Sequence, residues 1–466
     1  MFFGLGKIRV LLATSFAMAI VVTLCICVPS VSAQTLSFSP AQNPLLDDVQ
    51  VEIQVTGHVE VKSARAGVVQ QSVAVTGRLE YAQWLAYTEG TDLCRSIRKY
   101  AVIDRDIKIG GTSIDGSYRE DRRLVVDQMY LDEHLIYSPQ GSLTRDELDM
   151  IHIQWSPATL HRLLPSEPVT LKSTWTLENP ALTALLVLDA VSSNTVTGRI
   201  TSLTQDRAKL SIQGKVLGGA NGVLTEIELN LQAEYDLKGH RFMMVRSAMT
   251  EKREIGHAQP GLDVTARINI QLQPITRLST IPAAVIERCN QPMSAGGDHL
   301  LLRPSGVPVD LQVDRNWHVL VDQPELFVMR QVERGELVAQ CSLLPLPEPT
   351  RGENMTLVRF QNQIQSSLGE QFHRFVHSQE KPLPSGGILF RVVTQGEVDE
   401  IPLQWIYYYV TDPDGLGSAF VFTVALDKVE HFADQDRELI ATLQFRRDPK
   451  ITPISTLTTA KSEEQK

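Results

Sequence analysis

Cysteine is scarce in this chain of 466 residues: there are five, and two of them, Cys25 and Cys27, fall within the first 33 positions. No Cys-x-x-Cys occurs, so a structural zinc site has no sequence basis, and so few thiols cannot make a disulfide scaffold. Gly-x-Ser-x-Gly is missing, as are a His-Glu-x-x-His pair and an EF-hand ligand series, which leaves the common hydrolase, metalloprotease and calcium-loop readings without support. Charge of one sign never accumulates in a long block. With a formal net charge of −10 and no clustered basic face, nucleic-acid binding is disfavoured, because it requires cations arrayed to replace condensed counterions.

Long hydrophobic runs are also rare, with one exception at the start. Lys7 and Arg9 precede an apolar stretch from Val10 to Val28, interrupted by Thr14, Ser15 and Thr23, and Val31-Ser32-Ala33 supplies small residues for a signal peptidase. Residues 1–33 are therefore expected to be a signal peptide and the mature chain to begin at Gln34, secreted or periplasmic; the alternative is an uncleaved anchor in the inner membrane. No further transmembrane segment is expected after cleavage.

From Val51 to Pro274 the dominant pattern is alternation. Ile227, Leu229, Leu231, Ala233, Tyr235 and Leu237 take every second position against polar neighbours, and Val264, Ala266, Ile268, Ile270 and Leu272 do the same. A period of two predicts antiparallel strands with one buried face. Gly218 to Gly222 lies between two such runs and reads as a hairpin loop. Thr144 and Glu147 form a capping box ahead of Leu148, Met150 and Ile151, and Ser156-Pro157 restarts a short helix that must end before Pro165. Residues 34–274 are thus expected to be one antiparallel β-rich domain with a helical insert near 144–164, by analogy of architecture a curved sheet of the lipoprotein-carrier (LolA-like) kind. The passage Leu163-Leu164-Pro165, Pro168-Val169 and Trp175, the 226–237 strand and the block EKREIGHAQPGLDVTARI at 251–268 resemble an uncharacterised family of bacterial envelope proteins. That resemblance implies an envelope location and no particular activity. The charged block Glu251-Lys252-Arg253-Glu254 is read as cross-strand ion pairs on the wet face.

Residues 275–302 turn to Pro, Gly and Ser and read as an interdomain connection. In 303–447, strand-like runs flank a helix expected over Thr356 to Val376, where Leu357, Phe360, Ile364, Leu368, Phe372 and Phe375 recur at three or four residues. The Trp317-His318 opening, that helix, the aromatic run Trp405 to Tyr409, the Asp412-Pro413-Asp414-Gly415 turn and the ending from Phe432 to Phe445 together resemble the PsbP-like group. The resemblance implies an α/β/α sandwich with a binding or accessory role, so the fold class expected for the whole chain is α+β. Residues 448–466 are polar and expected to be a disordered tail.

Few side chains stand out as candidates. Cys94 and Cys289 both fall in the front domain and its trailing segment and are a candidate disulfide; equally, all three cysteines beyond the leader read as small buried apolar residues. Trp405, Tyr407 and Tyr409 share one face of a strand, a candidate docking patch if no helix covers them. His373 and His377, four apart on the expected helix, lie off its apolar stripe and lack the Glu of a metalloprotease motif. Asp104, Asp106 and Asp115, and Asp412 with Asp414, read as turn residues. No catalytic residue, cofactor site or metal site is expected. The function expected is non-catalytic, holding an envelope protein or an apolar ligand, and the competing expectation is an extracytoplasmic hydrolase of cell-wall or exported substrates.

Overall fold

The first thirteen strands form one sheet. They are β1 (Leu45–Ser63), β2 (Gly67–Tyr87), β3 (Cys94–Ile109), β4 (Thr112–Ile114), β5 (Leu124–Tyr130), β6 (Glu133–Tyr137), β7 (Thr174–Thr176), β8 (Ala190–Asn194), β9 (Thr197–Leu203), β10 (Arg207–Ala220), β11 (Val223–Asp236), β12 (Arg241–Arg253) and β13 (Gly261–Pro274). This computed structural model describes residues 35–446 except 64–66, 89, 90, 92, 115, 132, 172, 294, 295, 347–354 and 385. The expected signal peptide at 1–33 and tail at 448–466 lie outside the described residues. Contacts group residues 35–446 into one compact unit.

In the large sheet the spatial order is β6-β5-β3-β2-β1-β13-β12-β11-β10-β9-β7, with β4 beside β3 and β8 beside β10. Every pairing is antiparallel, and β1 joins β13, so the sheet's first and last long strands meet in its middle. The period-two pattern sets which face is dry: Ile227, Leu229, Leu231, Ala233 and Tyr235 of β11 are buried, as are Val264, Ala266, Ile268, Ile270 and Leu272 of β13. Over this face lie α1 (Arg145–Ile151) and α2 (Asn179–Leu186). The capping box is formed: Thr144 accepts from the Glu147 N–H at 3.2 Å, and Glu147 Oε2 accepts from the Thr144 N–H at 2.8 Å. The hairpin between β10 and β11 closes at Asn221-Gly222, both with positive φ (50° and 70°), the geometry an Asn-Gly turn supplies.

Residues 275–302, expected as a connection, carry α3 (Ala283–Cys289). Ile281 and Cys289 pack with Ile97, Leu124, Val126 and Tyr137, covering the other face of β3 and β5. The segment therefore buries a second face at one edge of the large sheet.

After β14 (Leu300–Leu302) and β15 (Val309–Val313), a seven-stranded antiparallel sheet follows in the order β16-β17-β18-β22-β21-β20-β19. Its strands are β16 (Trp317–Gln323), β17 (Leu326–Glu333), β18 (Glu336–Pro345), β19 (Phe372–Pro382), β20 (Ile388–Val398), β21 (Ile401–Thr411) and β22 (Gly417–Ala425). The helices are α4 (Leu357–Leu368), α5 (Val429–Phe432) and α6 (Gln435–Ala441), and β23 (Gln444–Phe445) returns to pair with β15.

The expected α+β class with an α/β/α sandwich does not hold. The protein is mostly antiparallel β, built on large sheets, and its longest described helix has 12 residues. The clearest departure is at 356–376: α4 stops at Leu368, Gly369 takes a left-handed φ of 53°, and the chain continues as edge strand β19. Phe372 and Phe375 kept the helical spacing by coincidence. Their segment pairs with β20, leaving His373 and His377 exposed on a bulged strand rather than on one side of a helix.

The two sheets meet in a continuous core and at several polar contacts. Arg330 Nη1 of β17 donates to His257 O, in the turn between β12 and β13, at 2.8 Å. The turn at Gly222 abuts the turn at Gly335 so closely that a Cβ built on Gly222 would stand 1.9 Å from Gly335 Cα.

Candidate functional site

Along β1 the dry face changes character. Val49 and Val51 are fully covered, whereas Ile53 and Val55 are only half-buried, because the layer above them thins. The gap is a cavity of about 580 Å³. Ile53 and Val55 of β1 with Ala266 and Ile268 of β13 make its apolar floor. Facing them are Leu148 and Asp149 of α1, His152 and Ile153 just after it, and Leu186 and Leu188 at the end of α2. His134 of β6, Arg145, Arg253 and Arg315 add polar groups, and the exposed Asp189 and Asn221 belong to the rim.

Behind His134 runs a buried polar chain. His134 Nε2 lies 2.7 Å from Asp127 Oδ1, and Ser156 Oγ donates to Asp127 Oδ2 at 2.6 Å. Arg98 pairs with the same carboxylate, donates from Nη2 to Ser156 Oγ at 2.7 Å, and stacks its guanidinium 5.1 Å from the centre of the Tyr81 ring. Asp127 and Arg98 are both buried. Burial alone would raise the Asp127 pKa, but Arg98 and His134, with hydrogen bonds from His134 and Ser156, outweigh it and hold the carboxyl well below its usual range. The next residue back from Ser156, Trp155, is fully buried at φ 62°, a conformation a bulky side chain adopts only when its surroundings enforce it. Its N–H is tied to Leu185 O at 2.9 Å, which links the turn to α2.

His134 and His152 meet edge to face with ring centroids 5.1 Å apart. Among the described residues His134 Nδ1 and His152 Nε2 are buried without a hydrogen-bond partner. Burial pushes the His152 imidazole down to about 3, and the neighbouring His134 adds to the effect, so His152 is neutral at physiological pH. Asp149 is exposed to the open side of the cavity, and the protein mass around it still pushes its carboxyl up to about 6, against the pull of Arg145. Burial likewise lowers Arg315 to about 10.

The Ser156 hydroxyl gives its proton to Asp127 and accepts from Arg98, and among the described residues no imidazole is hydrogen-bonded to it, so the nucleophile-and-base pair of a serine hydrolase is not assembled. Among the described residues no group of three or more His, Cys, Asp and Glu side chains is arranged to hold a metal. No helix is long and apolar enough to cross a membrane among the described residues.

The residues singled out from sequence lie elsewhere. Cys94, Cys289 and Cys341 are free thiols, so the expected Cys94–Cys289 bridge is not formed. Strand alternation explains why: Cys94 clusters with Leu85 and Met129 on one face of β3, while Cys289 packs against Ile97 on the opposite face. Trp405 is buried, and Tyr407 and Tyr409 are half-buried beneath α4, with Tyr409 stacked on Phe390 at 5.5 Å and 5.7 Å from Phe360. This row is core, not an open docking patch. On the other face Tyr408 donates to Asp436 Oδ2 of α6 at 2.5 Å and accepts from Arg391 Nε at 2.9 Å. Asp412 caps its own turn, accepting from the Asp414 and Leu416 N–H groups at 2.9 Å each. In the charged block only Lys252 reaches across strands on the wet face, 3.6 Å from Asp263; Glu251 and Arg253 pair with each other at 2.5 Å on the inner side, where Arg253 joins the cavity wall.

Comparison with known proteins adds little. No family model matches the chain. No curated protein matches it either. Solved structures give weak likenesses: the cyanobacterial PsbP protein (CyanoP) of Synechocystis sp. PCC 6803, 14% identical over 32% of this chain and 92% of that one, with a TM-score of 0.26; and lipovitellin, 10% identical over 56% of this chain, with a TM-score of 0.31. The match spans 27% of the lipovitellin chain. The outer membrane protein OmpT of Vibrio cholerae aligns at 8% identity with a TM-score of 0.11. Scores at this level establish neither a shared fold nor a shared function.

Proposed function

We propose that the protein is an exported, non-catalytic binding protein whose large sheet holds an apolar ligand in the cavity over β1 and β13. One observation carries this reading: about 580 Å³ of space whose floor is Ile53, Val55, Ala266 and Ile268, within the ~300–1,000 Å³ range of small-molecule sites. Water standing on that floor is displaced favourably by an apolar group, which gives a ligand its driving force. Export rests on Lys7, Arg9, the Val10–Val28 run and Val31-Ser32-Ala33, and the resemblance of the 251–268 block to envelope proteins agrees with it. N-terminal sequencing after expression in a bacterium should find Gln34 first; Met1 retained in the membrane fraction would turn the assignment to an anchored protein.

The binding test uses the neutral apolar probe N-phenyl-1-naphthylamine. The purified protein should give a saturable rise in fluorescence, and Ala266→Phe, which fills the floor, should remove it while far-ultraviolet circular dichroism stays unchanged. A non-saturable signal, or one indifferent to Ala266→Phe, would exclude the cavity as the site. The hydrolase alternative keeps one supporting observation, the approach of His134, His152 and Asp149 to one wall. Turnover of ester or glycoside substrates that His152→Gln abolishes would establish it in place of the binding reading.

A further inference from the structure

We infer that the cavity takes a single-chain amphiphile with an anionic head, the head held by Arg145 and Arg315 and the chain laid on the floor of β1 and β13. This deepens the proposed function and rests on the cavity being an apolar-ligand site.

The two guanidinium groups come from distant parts of the chain and reach the same wall. Arg145 opens α1, and its Nη2 bonds to the carbonyl of Arg315 and, at 3.4 Å, to that of Trp317. Arg315 donates from Nε to Asp298 O at 3.1 Å and from Nη2 to Ile136 O at 2.5 Å. Backbone carbonyls thus fix both side chains in place without neutralising them. Among the described residues neither arginine has a carboxylate within ion-pair distance, although the protein pairs its other deeply placed arginines, Arg98 with Asp127 and Arg391 with Asp436. The Nε of Arg145 is buried with no hydrogen-bond partner among the described residues. Two partly buried cations on one wall, with Asp149 and Asp298 acting on them only from beyond ion-pair distance, favour an anion that completes them.

The surrounding groups select the same chemistry. Among the described residues His152 Nε2 has no hydrogen-bond partner, and in its Nε2–H tautomer it can donate to an oxygen of the head; His134 gives its Nε2–H to Asp127, which leaves Nδ1 as an acceptor for a hydroxyl on the head. Asp149, the nearest carboxyl on that wall, is placed where protonation is cheap, so it yields to a bound anion by taking up a proton instead of repelling it. Asp189, on the rim, already accepts from the Gly222 N–H at 2.6 Å. A guanidinium pair recognises carboxylate and phosphate alike through forked hydrogen bonds, so the class is set by charge and by the apolar floor.

Displacement of N-phenyl-1-naphthylamine from the full chain decides the matter, with palmitate, lysophosphatidic acid, hexadecanol and hexadecyltrimethylammonium as competitors. Palmitate or lysophosphatidic acid should displace the probe at concentrations roughly tenfold or more below hexadecanol, with the cation weakest, and the better of the two anions identifies carboxylate or phosphate as the head. Arg145→Gln and Arg315→Gln should each erase the preference for an anion while leaving hexadecanol unchanged. Should either variant fail to fold, phenylglyoxal labelling of the wild-type protein reads the same contact: palmitate should protect Arg145 and Arg315, and hexadecanol should not. Equal displacement by palmitate and hexadecanol, or labelling indifferent to palmitate, overturns the assignment of the head and leaves the apolar site standing. Failure of every chain, hexadecanol included, overturns both.

Discussion

His134 Nε2 stands 2.7 Å from Asp127 Oδ1, on a carboxylate whose other oxygen is already engaged by Ser156 and Arg98. One aspartate thus ties together β3, β5, β6 and the turn after α1, directly behind the cavity wall. Replacing it with asparagine leaves Arg98 buried without a counter-charge. Asp127→Asn should lower the unfolding free energy by roughly 3–5 kcal/mol, and His134→Gln by about 1–3 kcal/mol, since only one charge-assisted hydrogen bond is lost. Urea unfolding of the two variants checks both figures, and an Asp127→Asn cost under about 1 kcal/mol would mean that the network is not what holds this corner.

The same corner makes stability depend on acidity. Burial holds the His152 imidazole down to about 3 in the folded protein, against 6.5 for a free imidazole. Above pH 6.5 it is neutral in both states and contributes nothing to the pH slope. Below it the unfolded chain takes up a proton that the folded protein refuses, so stability falls as the pH drops from 6.5 toward 3. Asp149 works the other way: its carboxyl is pushed up to about 6 when folded, above the 3.8 of a free side chain, so its penalty is present at pH 7 and fades as the pH falls through 6. His152→Asn should therefore gain on the wild type, by on the order of 1–2 kcal/mol, between pH 6.5 and pH 5, and Asp149→Asn should stabilise more at pH 7 than at pH 5. Denaturant titrations at pH 7 and pH 5 separate the two contributions.

Cys94, Cys289 and Cys341 should behave as buried thiols. Burial raises the pKa of each, Cys341 furthest from solvent. Peptides containing Cys94 and Cys289 should both carry iodoacetamide after labelling in denaturant without reductant, as read by mass spectrometry. Recovery of a crosslinked Cys94–Cys289 peptide would require β3 and α3 to be rearranged.

On the smaller sheet, Phe360 is the residue through which α4 holds its place, in contact with Phe390 and Tyr409. Phe360→Ala should cost about 3–5 kcal/mol and expose the tyrosines beneath it. Thermal unfolding and the near-ultraviolet circular dichroism of the tyrosine band report the two effects, and an unchanged tyrosine band would show that α4 stays seated without its anchor.

What could be read from sequence and what could not divide along physical lines. Alternation in β11 and β13 is a local property, visible because one face is dry and the other wet over ten or more residues, and Thr144 with Glu147 signals α1 because a capping box is complete within four positions. The 356–376 segment misled because Phe372 and Phe375 satisfy a helical spacing that Gly369 breaks, and a single glycine in a helical pattern is a weak stop signal. The helical spacing thus extends beyond the real end of α4, and the residues past Gly369 belong to the sheet, which moves the fold class toward all-β. The Cys94–Cys289 pairing failed on strand parity: without the position of α3, nothing says on which face of β3 a later cysteine will land. The cavity was invisible for the same reason. His134, Arg145, His152 and Arg315 share no motif and no spacing, and only the tertiary packing of the 315 turn against α1 and β6 brings them to one wall.

Gly222 and Gly335 both hold left-handed turns, and each is where the other would need to place a side chain. Evolution cannot vary these hairpins independently: a residue with a Cβ is admissible at one only if the opposing loop is rebuilt in the same step. Grafting either sheet onto a foreign partner therefore demands that the donor bring a matching bare backbone at this junction, and a library that randomises the two positions together should return glycine at both.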